Sequence, residues 1–372
     1  MIEKILAYIL ACCNNNEFDQ TTVALISENL KISRSQISVV LNKLVKENML
    51  VRIESKPFCF ISVDYLKEKG IPYKDNVYTS INELMSNQEK KDFEKLVGMN
   101  HSLAQTVKQC KATISYPPNG LPMLLYGPTG TGKSLIAKLT YEWARNQGVI
   151  AKDGQFIQVN CSEYANNPEL LTANLFGHVK GAFTGAEKDN EGLIALADNG
   201  VLFLDEVHEL KAECQEKLFL FMDQGIYHRV GDNEKWYKSN VRIVFATTEN
   251  PDKVLLKTLM RRIPMIITIP SLEQRGTQER IELLHDIFSQ EEKRLNCQIK
   301  MSSKVYNALL QSKMPGNIGQ LKSSVQSCCI NSLFDKVNDD LVIHLDSLPQ
   351  DLLQQVYANQ KTVLDDDEYI YV

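Results

Sequence analysis

The chain has 372 residues, of which 44% are hydrophobic and 23% charged, with a formal net charge of −5. That length calls for two or three domains, each able to bury a core, and rules out a peptide hormone or a disulfide miniprotein. The composition excludes both a disordered chain and a membrane-embedded one, and the net charge exerts no global pull on nucleic acid, so any DNA binding needs a local patch.

The start, MIEKILAYILACCNNN, lacks a signal-cleavage pattern, and apolar runs such as Val201 to Leu204 fall far short of the roughly 20 residues a bilayer demands. A cytoplasmic chain with no membrane partner is expected. Nine cysteines without a C-x-x-C pair support neither a disulfide framework nor a zinc site.

Residues 1–63 read as a small winged helix-turn-helix domain. Thr21 or Thr22 caps a helix running to Leu30, and Ser33 caps RSQISVVLNKLVKEN, whose Ile37, Val40, Leu41 and Leu44 share one face. The strands MLVRIE and FCFISV flank a turn at Ser55 to Pro57, as a wing does. Arg34, Ser35, Gln36, Ser38, Asn42 and Lys43 remain on the open face, where hydroxyls and amides suit base edges and cations suit phosphates. Seven basic against six acidic residues make the electrostatic footprint thin, so a protein-binding winged helix is the alternative. Residues 64–90 are polar, contain Gly70 and Pro72, and read as a linker.

From 91 to 270, apolar runs (PMLLY, QFIQV, VLFLD, VRIVFA, MIITI) alternate with helical patterns, which predicts an α/β domain with a mostly parallel sheet covered by helices. After Pro270 the strands stop, and helical periodicity predicts a helical lid over 271–348. Residues 349–372, acidic at Asp365 to Glu368, read as a tail or linker.

Gly127, Pro128, Thr129, Gly130, Thr131, Gly132, Lys133 and Ser134 form a P-loop between the strand at Met123 to Tyr126 and a helical run. Its backbone N–H groups converge on phosphate oxygens, the following helix adds its positive N-terminus, Lys133 reaches the β- and γ-phosphates, and Ser134 ligates Mg2+. ATP with magnesium is the expected cofactor. Hydrolysis further requires an activated water. VLFLDE supplies Asp205 to hold magnesium and Glu206 to polarise that water, both at the C-terminal end of a buried strand. Neighbouring strands end at Asn160, a candidate restraint on Glu206, and at Thr247 and Thr248, candidate phosphate sensors.

The stretch LFGHVKGAFTGA, together with NGVLFLDEVHEL and MPGNIGQLK, resembles the AAA+ domain of bacterial activators of sigma-54 RNA polymerase, over about residues 91–348. Gly181-Ala-Phe183-Thr184-Gly185-Ala186 matches letter for letter the hexapeptide that defines those activators. Physically it suits a hinged contact loop: Gly181 and Gly185 free the backbone, while Phe183 and Thr184 offer one ring and one hydroxyl to a partner. The bland reading makes Phe183 core and the glycines turn residues.

That resemblance implies a transcription activator that spends ATP on remodelling the sigma-54 RNA polymerase complex while bound to upstream DNA. It also implies a homo-oligomeric ring, usually hexameric, with an arginine completing the neighbour's site. Arg261 and Arg262 are the candidates, Arg262 preferred, although one family position nearby holds Leu256 instead of arginine. The lid arginine of many relatives is replaced by Gly319, with Lys322 one turn away. The order of domains is similar to the levanase-operon-regulator (LevR) type, whose members continue into phosphotransferase-regulation domains beyond the lid. Two other readings are a AAA+ remodeller of a different protein complex, with the winged helix as adaptor, and a nucleotide-gated DNA-binding repressor.

Overall fold

The computed structural model describes the chain except for residues 16, 55, 70, 72, 74, 82–83, 85–91, 233, 334–335, 338–339, 360–368 and 372. It divides into two units, Met1–Lys91 and Asp92–Val372.

In the first unit, α1 (Ile2–Asn14), α2 (Val23–Leu30) and α3 (Arg34–Lys46) precede β1 (Leu50–Ile53) and β2 (Cys59–Ser62), which pair antiparallel from Leu50 opposite Ser62 to Ile53 opposite Cys59. Thr22 is the cap of α2, its hydroxyl accepting from the Leu25 N–H at 3.4 Å. Ser33 stands at the cap position of α3, but its hydroxyl donates to the Gln36 side chain at 2.8 Å. Ile37, Val40, Leu41 and Leu44 are buried with Ile5, Ile9 and Ile26, as their helical spacing predicts. Of the expected wing turn, Ser55 lies outside the described residues.

The stretch read as a linker is partly structured. It holds α4 (Val63–Glu68) and β3 (Val77–Tyr78), the latter parallel to β1, and Tyr65, Leu66, Ile71, Tyr78 and Leu84 complete the first core. Widely spaced apolar residues leave no periodic signal. Each nonetheless loses water by packing on a core already formed.

In the second unit, a short 3-10 turn (Asp92–Lys95) precedes α5 (Ala104–Ile114). A five-stranded, all-parallel sheet follows: β4 (Met123–Tyr126), β5 (Phe156–Asn160), β6 (Val201–Asp205), β9 (Arg242–Thr247) and β10 (Met265–Thr268), in the order β10-β4-β9-β6-β5. A short antiparallel hairpin, β7 (Ile226–Tyr227) with β8 (Tyr237–Lys238), stands apart from it. Successive strand residues serve opposite cores. Leu124, Leu202, Leu204, Ile243 and Phe245 pack on one face, and Met123, Leu125, Val201, Phe203, Val244 and Ala246 on the other. Burial on both faces is why these strands are uninterrupted apolar runs. The sheet is flanked by helices that include α6 (Lys133–Asn146), α7 (Pro168–Phe176) and α8 (Ala212–Gln224).

The lid is not purely helical. Alongside α9 (Thr277–Leu295), α10 (Ser303–Gln311) and α11 (Asn317–Asn331) it carries β11 (Ile299–Ser302), β12 (Lys336–Val337), β13 (Asp340–Ile343) and β14 (Tyr369–Tyr371), in the order β12-β13-β11-β14. The expected tail contributes as well. Helix α12 (Gln350–Asn359) buries Leu352 in the lid core, and β14 pairs antiparallel with β11, whereas Asp365 to Glu368 lie outside the described residues. Strands this short show no sustained alternation, and β11 pairs only with partners distant in sequence, so little in the local sequence announces the sheet. No described helix is long and apolar enough to cross a membrane.

Candidate functional site

The parallel register brings the C-terminal ends of four strands to one edge: Asn160 lies opposite Asp205, and Tyr126 opposite Thr247. Open α/β sheets offer ligand crevices at that edge. Here β4 turns through Gly127–Gly132 into α6. Gly130, at φ +76°, lets the loop approach the lid so closely that a Cβ would stand 2.2 Å from the Gly316 carbonyl oxygen. The resulting cavity, of about 650 Å³, is lined by Thr129 to Ser134, Asp205, Glu206, Gly319 and Lys322, among others.

Lys133 is buried, its ammonium donating to the Gly127 and Pro128 carbonyls at 2.8 and 3.2 Å. Burial draws its pKa below the usual lysine value, opposed by the nearby charges of Glu206 and Asp205. Ser134 Oγ donates to Asp205 Oδ2 at 2.7 Å. A hydroxyl and a carboxylate meeting beside the phosphate loop form the oxygen donor set that suits a hard divalent cation such as magnesium.

Glu206 follows β6 in the left-handed region, at φ 51°. Its backbone N–H donates to Asp205 Oδ1 at 3.0 Å. Thr248 Oγ donates to Glu206 Oε2 at 3.1 Å, and His208 Nδ1 lies 3.4 Å from the same oxygen. Nδ1 is also 3.2 Å from Thr247 Oγ, while His208 Nε2 is 3.5 Å from Glu209 Oε1.

Two sequence expectations change here. The carbonyl of Asn160 accepts from the N–H and hydroxyl of Ser162, at 3.2 and 2.8 Å, capping the single turn Cys161–Tyr164. It satisfies an otherwise orphaned helix-end donor, and the Glu206 contacts come from Thr248 and His208 instead. Thr247 is fully buried and accepts from the Glu249 N–H at 3.1 Å, so of the two strand-end threonines it is Thr248 whose hydroxyl meets Glu206.

A second set of residues at the P-loop carries no local sequence signal. Buried Arg275 donates to the Thr131 carbonyl at 2.9 Å and pairs at 3.4 Å with buried Glu279, which accepts from the Ser102 hydroxyl at 2.8 Å. The Asn317 amide donates to the Thr129 carbonyl at 2.9 Å, and the Gly319 N–H to the Gly130 carbonyl at 3.2 Å. The lid is thereby bonded directly to the phosphate loop. An arginine and a glutamate four apart read in sequence as a solvated helical pair; only their burial reveals the brace. In MPGNIGQLK the family resemblance singles out Gly319 and not Asn317.

Arg261 and Arg262 are exposed, and neither lines the cavity of its own chain. Arg262 pairs with Asp223 of α8 at 2.8 Å and lies over the Phe219 ring, 5.2 Å from its centre. Arg261 has no side-chain partner among the described residues.

Away from the cavity, the 181–186 loop stands on a narrow neck. The backbones of His178 and Asn190 exchange two hydrogen bonds, and the Val179 N–H donates to Val230 next to the β7–β8 hairpin. Gly181 and Gly185 have φ of +82° and +100°, with nothing within 4 Å of where a Cβ would stand. Phe183 is 39% exposed, which removes the core reading, and its ring meets that of His178 edge-on at 4.9 Å. Thr184 is exposed.

In the first unit, Arg34, Ser35, Gln36, Asn42 and Lys43 are exposed along α3, and Ser38 is half-buried. Lys43 pairs with Glu47 at 3.7 Å, and Arg34 lines a pocket with Lys56 and Phe58.

The second unit has the architecture of an AAA+ domain: a parallel sheet in this order, a P-loop after its second strand in space, an Asp-Glu pair two strands away, and a lid bonded to the loop. Its fold resembles that of Brucella abortus NtrX solved with ATP, at a TM-score of 0.58 and 23% identity over 74% of this chain and 59% of that one. Residues 96–266 match the family described as the Sigma-54 interaction domain. The chain is 41% identical over 350 residues to the transcriptional regulatory protein LevR of Bacillus subtilis (strain 168), covering 91% of this chain and 37% of the relative. To DagR of Salmonella typhimurium (strain 14028s / SGSC 2262) it is 36% identical over 317 residues, covering 83% and 34%. The chain therefore belongs to the sigma-54 activator family and is of the LevR type. It spans little more than a third of the length of these relatives.

Proposed function

We propose that the chain is an ATP-hydrolysing transcription activator that engages sigma-54 through Phe183 and Thr184. The P-loop holds the triphosphate, Lys133 meets its β- and γ-oxygens, and Ser134 with Asp205 holds magnesium, which neutralises phosphate charge when bound. Glu206 accepts a proton from the attacking water. Arg262, released from Asp223, or Arg261 beside it, reaches the neighbouring subunit's γ-phosphate in a ring, usually a hexamer. The exposed face of α3, with Arg34, Ser35, Gln36, Ser38, Asn42 and Lys43, reads upstream DNA.

The observation that carries the reading is a loop with an exposed ring and hydroxyl, hinged on two open glycines, in a domain whose P-loop faces an Asp-Glu pair. Such a loop serves a partner better than it serves a core. The test is capture of purified sigma-54 by the chain with ADP plus aluminium fluoride, a mimic of the transferring phosphate, against nucleotide-free protein. Capture only with the mimic, lost in Thr184→Ala while ATP turnover persists, is the expected result. Equal capture by both proteins, or none, rejects the assignment.

A further inference from the structure

The general base assigned above needs its carboxylate held, and Asn160, whose position at the end of β5 suits that task, is occupied elsewhere: its carbonyl caps the turn at Cys161–Tyr164 through two bonds from Ser162. What meets Glu206 is a different pair of side chains. Thr248 Oγ and His208 Nδ1 both approach Oε2, at 3.1 and 3.4 Å. No hydrogen bond to Oε1 occurs among the described residues. One oxygen is anchored; the other is left to receive a proton.

We infer that His208 is a positioning residue that, with Thr248, clamps one oxygen of Glu206 so that the other acts on the attacking water. The inference rests on the ATPase reading and adds to it the element that orients the base.

Four observations carry it. Backbone freedom at Glu206 is poor, because a non-glycine residue at φ 51° sits in a small, sterically confined well, so the side chain leaves the strand end in a fixed direction. The His208 ring is placed by a hydrogen bond between Nδ1 and Thr247 Oγ at 3.2 Å, and Nε2 stands 3.5 Å from Glu209 Oε1. Thr247 is fully buried and bonded to the Glu249 backbone, which ties the ring to the end of β9. Finally, Glu206 lines the cavity with the P-loop, and His208 does not. His208 therefore acts through Glu206 rather than on the nucleotide. The contacts join β6 to β9 at the edge where a γ-phosphate is read, so a shift of Thr247 or Thr248 repositions the base directly.

The experiment is steady-state ATP hydrolysis by the full chain, with nucleotide affinity measured separately by fluorescence of a labelled ATP analogue. His208→Ala is expected to lower kcat by about 10- to 100-fold, the scale of a misplaced reacting group, with affinity for the analogue unchanged. His208→Asn puts an amide N–H close to the position of Nδ1 and is expected to restore most of the lost kcat. Thr248→Val is expected to lower kcat with affinity intact. In a Glu206→Gln background, His208→Ala should add no further loss, because both changes remove the same oriented base.

Several results overturn the inference: unchanged kcat in His208→Ala, raised kcat in that variant, a parallel loss of nucleotide affinity that Asn does not rescue, or full additivity with Glu206→Gln. Should His208→Ala fail to fold, the Asn and Thr248→Val variants carry the test alone. Absence of hydrolysis in the unaltered chain defeats the ATPase reading itself and is recognised before any variant is compared.

Discussion

The phosphate loop and the 181–186 loop both use glycine in the left-handed region, yet their surroundings are opposite. A Cβ on Gly130 meets the Gly316 carbonyl oxygen at 2.2 Å, whereas one on Gly181 or Gly185 meets nothing within 4 Å. Glycine in the first serves close approach, and in the second it serves freedom. Arg275, Asn317 and Gly319 brace the first against the lid, while the second is joined by backbone bonds at His178, Val179 and Asn190, with Ala182 close to Gly231 and Phe183 and Thr184 lining a pocket with residues of α7 and α8. Catalytic groups need fixed geometry, and a contact loop needs several accessible positions. A single domain thus separates a rigid end from a hinged one.

The strongest way to break this contrast is to remove groups on which the rigid end depends. Arg262→Ala is expected to reduce ATP turnover by ~10³ to 10⁵-fold if that arginine completes a neighbour's site. Mixing it with an arginine-intact, Glu206→Gln chain should restore part of the activity, and failure of every mixing ratio to do so would place the arginine's role within its own subunit. Glu206→Gln should retain ATP binding while turnover falls by about 10²- to 10⁴-fold; rapid hydrolysis by that variant removes Glu206 from the chemistry.

The glycines allow a sharper, matched test. Gly130→Ala drives a methyl into the Gly316 backbone and should abolish binding of a fluorescent ATP analogue. Gly181→Ala adds only a left-handed conformational cost of about 1 kcal/mol. It should leave ATP turnover within about twofold while weakening sigma-54 capture. Equal effects of the two substitutions on ATP binding would dissolve the distinction.

The smallest expected effect concerns the thiols. Burial pushes Cys110 up to about 12 and Cys13 and Cys214 to about 11. A raised pKa keeps each thiol protonated, and so unreactive, until the pH climbs toward those values. Brief alkylation at neutral pH, read by mass spectrometry, should modify the half-buried Cys297 first. Early modification of Cys110 would show that the rigid half opens more readily than its packing allows.

The core of the nucleotide domain was legible in sequence because its strands are buried on both faces. Continuous runs such as VLFLD announce themselves, and the polar residues ending them fall on the ligand edge. The lid sheet was not legible, since IKMS at β11 and DLVI at β13 are short strands that pair with each other across the intervening helices α10 and α11. Similarly, Asn160 and Thr247 were assignable to the strand ends but not to their partners. Which atom a short polar side chain bonds is decided by the turn that follows, as the capping of Cys161–Tyr164 illustrates. Arg275 and Glu279 carry ordinary helical spacing, and only the fold makes their charges internal.

Strand β14 gives the lid one more property. By pairing along β11 from Lys300 to Ser302, it occupies a row of backbone donors and acceptors that would otherwise be open to a strand from another molecule. Shortening the chain before Tyr369 would uncover that row, and the expected penalty is self-association through the exposed edge, with the phosphate chemistry left largely untouched.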